Sequence, residues 1–313
     1  MSDPILVVKD LQKSFGENQA VRGVSFQVAR GEVFGLLGPN GAGKTTTISM
    51  LTGLLAPTGG GATVDGLDLQ KDTKAVKAKL GLVPQELALY PVLSARDNLE
   101  FFGRIYGLRG KSLHERVEAV LDMVGLAERA DEAIDTYSGG MKRRINIAAG
   151  LLHQPDILFL DEPTVGVDPQ SRNAIFEGVE ALNRAGMTVI YTTHYMEEAQ
   201  RLCHRVAIMD EGEIIALDTP SALIRSLGGG IILLGVGEEQ IDAVAEEITQ
   251  LASVKSAVRS DGQLKVEAKH AQQALLGVIE ITNQRDARVT SLQILEPNLE
   301  TVFLHLTGKT LRE

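Results

Sequence analysis

The stretch EVFGLLGPNGAGKTTTISML, Glu32 to Leu51, decides the fold. It opens as a compact apolar strand of the kind buried in a sheet core, and that strand ends at Gly38. From Lys44 onward Ile48, Leu51 and Leu55 fall on one helical face, which predicts a helix over 44–55. Between strand and helix lies GPNGAGKTT, made of Gly38, Pro39, Asn40, Gly41, Ala42, Gly43, Lys44, Thr45 and Thr46. That is the phosphate-binding loop pattern in its expected setting. The glycines let the backbone curl so that successive N–H groups point at a phosphate, Lys44 neutralises the outer phosphate oxygens, and Thr45 can hold Mg²⁺.

Outward from this loop, ILVVKDL and VSFQV read as strands before it, and ILFLDEP and MTVIYTTH as strands after it, each of the latter following a helical pattern. This βα alternation belongs to a parallel sheet. The middle, roughly Leu87 to Tyr137, is rich in helical signals and reads as a helical insertion. VAIMD and EIIALD, joined around Gly212, close a first domain. The glycine triplet Gly228 to Gly230 marks the expected boundary, giving domains 1–227 and 228–313. The second reads strand, helix, strand, a turn at Asp261-Gly262, strand, helix, strand and a last helix, an order that predicts a small ferredoxin-like α+β unit.

Composition narrows the function. The 313 residues are 44% hydrophobic and 23% charged, the profile of a globular chain of about two domains. No stretch approaches the roughly 18 apolar residues of a membrane span. The start, MSDPILVVKD, lacks a secretory profile, and the single cysteine, Cys203, forms no intrachain disulfide framework, so a cytoplasmic location is expected. With 31 Lys and Arg against 41 Asp and Glu, the net charge of −10 argues against nucleic acid as a partner. Five histidines, His114, His153, His204, His270 and His305, show no metal-ligand spacing and read as core or solvated residues.

Further motifs follow the loop in order. LVPQE places Gln85 41 positions after Lys44. YSGGMKRR spans Tyr137 to Arg144 around Ser138, Gly139 and Gly140. ILFLDEP ends in Asp161 and Glu162, GVDP carries Asp168, and TTHYMEEA carries His194. On these motifs the chain resembles the nucleotide-binding subunit of an ABC transporter. YSGGMKRR and the tail EPNLETVFLHLTGKTLRE resemble the ABC-2 export branch, including antibiotic-resistance pumps of the daunorubicin type.

The resemblance implies a fold and a set of roles. The fold is α/β, a P-loop NTPase cassette with a RecA-like core, an antiparallel β subdomain and a helical subdomain, followed here by the ferredoxin-like unit. ATP and Mg²⁺ are the implied ligands. Thr45, Gln85 and Asp161 would serve the metal, and Glu162 would act as general base with Gln85 and His194 beside the γ-phosphate. Asp161 and Glu162 adjoin at a strand end, so their side chains are expected on opposite sides of it. Phe15 lies 23 residues before Gly38, where the family stacks an aromatic on adenine; a core phenylalanine is the other reading.

Ser138, Gly139 and Gly140 open a predicted helix, whose N-terminus attracts an anion, although the chain already has a phosphate site. The family resolves this by pairing two cassettes head to tail, so a second copy is an implied partner. The other is an integral-membrane permease, which would hold the subunit at the inner face of the membrane. Leu89, Tyr90, Val92, Leu93, Phe101 and Phe102 are the candidates to meet it. Lys142, Arg143 and Arg144 are expected on a solvated or nucleotide-adjacent face. Two other ATPase classes fit less well. A ribosome-associated ATPase usually has two cassettes, and a DNA-repair or chromosome ATPase inserts a coiled coil or zinc module where only 94 residues separate Lys44 from Ser138.

Overall fold

The computed structural model describes residues 3–226, 229–260, 262–269, 271–295 and 298–307. Gly228 of the glycine triplet, Asp261 of the Asp-Gly turn, His270, Glu296, Pro297 and residues 308–313 of the tail lie outside them. The chain divides into two compact units, one running to Thr219 and one beginning at Pro220.

The first unit begins with a long hairpin, β1 (Pro4–Phe15) and β2 (Asn18–Ala29), and continues through β3 (Val33–Leu37) into α1 (Lys44–Leu51). The helix is shorter than its apolar spacing predicts. The Thr52 hydroxyl turns back onto the Ile48 carbonyl, and the chain leaves the helix at Gly53, so Leu54 is exposed while Leu55 still packs on the core. β4 (Gly59–Val64) and β5 (Leu67–Asp68) complete an antiparallel sheet of order β2-β1-β4-β5.

After α2 (Thr73–Ala78) and β6 (Leu80–Val83) comes the predicted helical region, α3 (Ala95–Ile105), α4 (Gly110–Met123) and two 3₁₀ turns, leading into α5 (Gly139–Leu151). Ser94 caps α3 by accepting the Asp97 N–H, which satisfies one of the donors a helix start leaves orphaned. Then follow β7 (Ile157–Asp161), α6 (Pro169–Arg184), β8 (Thr188–Thr193), α7 (Met196–Leu202), β9 (Arg205–Asp210) and β10 (Glu213–Asp218). The six-stranded sheet runs β10-β9-β3-β8-β7-β6 and is parallel except where β10 pairs with β9. Every residue of β3, β7 and β8 is buried, because both faces of the sheet are covered, one of them in part by the antiparallel sheet. Antiparallel and parallel sheets share one core, in which Phe26 of β2 stacks on Phe34 of β3 with ring centroids 5.0 Å apart.

The second unit starts with α8 (Pro220–Ser226) and β11 (Ile231–Val236), then α9 (Ile241–Thr249), β12 (Val254–Ser260), β13 (Gln263–Ala268), α10 (Ala271–Gln284), β14 (Val289–Leu295) and α11 (Leu299–Thr307). Its antiparallel sheet has the order β12-β13-β11-β14, the split βαβ arrangement the element order predicts. Ile232, Leu234, Val244, Ile248, Val266 and Val278 build a separate core there.

Candidate functional site

In an open parallel sheet, ligands gather beyond the carboxyl ends of the strands. Four candidate segments emerge from that edge here: the glycine loop after β3, Gln85 after β6, Asp161 and Glu162 at the end of β7, and His194 after β8. Sequence positions 38 to 194 thus come from neighbouring strands.

The loop is shaped by close backbone approach. A Cβ on Gly38 would lie 2.2 Å from the Met209 carbonyl oxygen, and one on Gly43, whose φ is 99°, 2.6 Å from that of Ala20. Gly41 has open space around it, and Asn40 and Thr45 are exposed. Lys44 is buried at 4% exposure. Its Nζ donates to the Gly38 carbonyl at 2.7 Å and the Pro39 carbonyl at 3.1 Å, and stands 3.1 Å from Glu162 Oε1.

Asp161 and Glu162 do not diverge as strand alternation predicts. Glu162 has φ 45°, so the strand conformation stops at Asp161 and both carboxylates meet consecutive loop residues. Asp161 Oδ1 accepts from Thr45 Oγ1 at 3.3 Å and from Thr192 Oγ1 at 2.6 Å. Burial pushes its carboxyl above the ordinary carboxylate range, against the opposing effect of those two hydroxyls and of Lys44. Glu162 bridges: Oε1 faces Lys44, while Oε2 lies 3.2 Å from His194 Nδ1, out of line for a hydrogen bond. Thr192, which sequence reasoning passed over, accepts the Glu162 N–H at 2.9 Å and so joins β8 to both acids.

A cluster of lysine, two carboxylates, a threonine hydroxyl and an imidazole beside a glycine-rich loop can hold a polyphosphate and take a proton from water next to it. A family model described as ABC transporter matches residues 21–165. Over 311 residues the chain is 48% identical to the linearmycin resistance ATP-binding protein of Bacillus subtilis (strain 168), across 99% of this chain and 100% of that protein. The chain belongs to the ATP-binding subunits of ABC transporters.

This ABC subunit is therefore an ATPase. It is 39% identical to a daunorubicin resistance ATP-binding protein of Streptomyces coeruleorubidus, over 95% of this chain and 93% of that one. Its structure matches an ATP-binding cassette solved as a dimer in a post-hydrolysis state with ADP and Pi, with a TM-score of 0.62 and 27% identity over 68% of this chain and 98% of that one.

Ser138, Gly139 and Gly140 of the YSGGMKRR run lie apart from the Lys44 cluster. Ser138 caps α5 by accepting the Met141 N–H at 3.2 Å; Ser138 and Gly139 are exposed. Gly140 is buried, and a Cβ there would lie 2.1 Å from that of Ser171 at the start of α6. Asp168 caps α6 through the Ser171 N–H at 3.0 Å, and its backbone hydrogen bonds hold its carboxyl below the usual range. Among the described residues, no hydrogen bond or ion pair joins Ser138, Gly139 or Asp168 to Lys44 or Glu162.

Of the two settings expected for the basic run, solvated or nucleotide-adjacent, Arg143 does not take the solvated one. It is buried, and its Nη1 donates to the carbonyls of Pro84 at 3.1 Å and Gln85 at 2.8 Å, while Arg144 reaches the Val124 carbonyl. The basic run closes helix-to-loop contacts. Gln85 itself is exposed. Phe15 is 50% exposed at the end of β1, with Lys13 Nζ 5.1 Å from its ring centre, so it fills no core. Beside Gln85, Tyr90, Val92, Leu93 and Phe101 are exposed, whereas Leu89 and Phe102 are half-buried. Tyr90 meets Phe101 edge-on, centroids 5.0 Å apart. No described helix is long and apolar enough to cross a membrane. His204 and His153 hold backbone: Nδ1 of the first accepts the Val33 N–H, and Nε2 of the second lies 2.9 Å from the Leu80 carbonyl.

Proposed function

We propose that this subunit hydrolyses ATP to energise export through a separate integral-membrane permease, as one of two copies paired head to tail at the inner face of the membrane. The single observation that carries the reading is Glu162, a buried carboxylate held between Lys44 and His194 at the mouth of the glycine loop. Lys44 and the loop N–H groups of residues 41–46 bind the phosphates, and the half-exposed ring of Phe15 offers a face for adenine. Glu162 accepts the proton as water attacks the γ-phosphorus and the bond to the ADP oxygen breaks, with His194 and Gln85 orienting the γ-phosphate.

Thr45 Oγ1 and the Asp161 carboxylate are adjacent oxygen ligands, the donor set Mg²⁺ prefers when it also keeps waters and phosphate oxygens. The ion, when bound, neutralises phosphate charge; Thr45, Asp161 and Gln85 are the residues to hold it. Exposed Ser138 and Gly139 at the start of α5, with Asp168, complete the site of the partner copy, a reading supported by the dimeric cassette with ADP and Pi. Export is supported by the relatives named for linearmycin and daunorubicin resistance. Tyr90, Val92, Leu93 and Phe101 then form the apolar patch that receives the permease.

Glu162→Gln tests this. The amide keeps the shape but not the base, so hydrolysis should fall on the order of 10²- to 10⁴-fold while ATP binding persists. Near-normal turnover by the purified variant would remove Glu162 from this role. In the same preparation, co-expressed with a candidate permease, Val92→Asp and Phe101→Asp should release the permease and spare ATP binding; an unchanged complex would move the docking surface elsewhere.

A further inference from the structure

Glu198 is a buried acid outside the phosphate site, and it is fully engaged. It sits on α7 at 3% exposure. Its Oε1 accepts from Thr164 Oγ1 at 2.7 Å, and its Oε2 accepts from Tyr191 OH and Thr193 Oγ1, both at 2.9 Å. Arg172 Nε of α6 stands 3.8 Å from Oε1, with its guanidinium 5.1 Å from the centre of the Tyr195 ring. None of these partners belongs to the glycine loop.

Two of the partners matter for chemistry. Thr164 lies two residues after Glu162, and Thr193 immediately before His194. The Thr193 hydroxyl donates to Glu198 and also accepts the Tyr195 N–H at 2.9 Å, so it clamps the backbone on both sides of His194. Burying a carboxylate is expensive unless it is satisfied, and this one has three hydroxyl donors and a cation. Its satisfaction requires the β7 and β8 loops to stand in one relative position. Displacing a reacting group by about 1 Å is enough to lower a rate by as much as 10²-fold.

We infer that Glu198 is a positioning residue for hydrolysis: with one carboxylate it holds Thr164 and Thr193, and thereby sets the spacing between Glu162 and His194. This rests on the roles proposed above for those two residues. Its action is on turnover, because it touches nothing that binds the phosphates.

The test uses the full chain, with steady-state hydrolysis and nucleotide titration read side by side. Thr164→Val and Thr193→Val remove one hydroxyl each and keep side-chain volume. Each should lower kcat about tenfold or more and leave the KM for ATP within about twofold. Glu198→Gln should lose at least as much, and adding both valines to it should cost little more, since all three act through one contact set. Thr164→Ser and Thr193→Ser, which restore the hydroxyl, should recover most of the rate. The proposal is overturned if both valine variants keep kcat within about twofold of the parent chain. It is equally overturned if kcat losses merely track thermal midpoints across the set, or if KM rises in step. Glu162→Gln in the same assay separates the two readings. An active Glu162→Gln removes the underlying role, whereas an inactive one beside active valine variants removes the positioning role alone.

Discussion

Lys44 Nζ stands 3.1 Å from Glu162 Oε1, and neither side chain is more than 6% exposed. Each charge is the other's main compensation, although Lys44 also has two loop carbonyls. Lys44→Ala should therefore do more than abolish ATP binding: by leaving a buried carboxylate uncompensated it should destabilise the nucleotide-free chain by about 3–5 kcal/mol. Glu162→Gln added to it should return much of that loss. Urea denaturation of the two single variants and the double variant measures the coupling, and a Lys44→Ala chain as stable as the parent would show the pair to be dispensable.

The neighbouring glycines Gly139 and Gly140 should respond differently. Gly140→Ala puts a methyl 2.1 Å from Ser171 Cβ and forces α5 from α6, an overpacking of about 1–3 kcal/mol, and Ser171→Gly should relieve it. Gly139 has nothing nearer than the Gly166 carbonyl oxygen at 3.7 Å, so Gly139→Asp should fold normally and bind ATP while losing dimerisation and hydrolysis. Thermal melts and nucleotide titrations distinguish the two. Equal destabilisation by both substitutions would contradict the packing difference.

Asp161 predicts a pH dependence. Its carboxyl is raised above 3.8, chiefly by burial, so the folded chain holds that proton more tightly than the unfolded one. The resulting penalty is absent below the unfolded value, grows as pH rises toward the folded value and is complete above it. Asp161→Asn, with no charge to desolvate, should raise the thermal midpoint of the nucleotide-free chain at neutral pH. The gain should shrink as pH falls into the carboxylate range. A lower midpoint for the asparagine variant at pH 7 would mean that the Thr45 and Thr192 hydrogen bonds outweigh desolvation.

A chain ended after Thr219, where the first unit stops, should fold and bind ATP. The core of the phosphate site draws on residues 5 to 217, and the core of the second unit on residues 232 to 287. Circular dichroism and nucleotide titration of the shortened chain check this; an unfolded product would mean that the boundary lies elsewhere.

What could be read in the sequence was the chemistry concentrated in short runs. Glycines before Lys44, a carboxylate pair ending an apolar strand, and His194 after another apolar strand each form a pattern legible within a few residues. Glu198 could not be read that way. In MEEA it is one of two adjacent acids on a short helix, and its meaning comes from Thr164, Tyr191, Thr193 and Arg172, brought to it by three other segments. Arg143 was obscured by its charged neighbours, because a run of basic residues looks solvated until the loop it anchors is seen. β4 begins with three glycines and alternates only over Ala62, Thr63 and Val64, too short a run to read as a strand; its place comes from backbone pairing with β1, such as Leu6 with Val64. The turn at Glu162 likewise escaped strand periodicity, since one left-handed residue ends it.

The grip of Arg143 on Pro84 and Gln85 has a mechanical meaning. The same helix that presents Ser138 and Gly139 at its exposed start carries, one turn further on, the guanidinium bound to two successive carbonyls of the loop, with Asn146 adding a contact to Ala88. Helix and loop thus share a rigid joint with little play. A displacement of one drags the other with it, like two arms of a single crank, and the stiffness resides in part-buried hydrogen bonds to backbone groups, which salt in the surrounding solvent weakens less than exposed ion pairs.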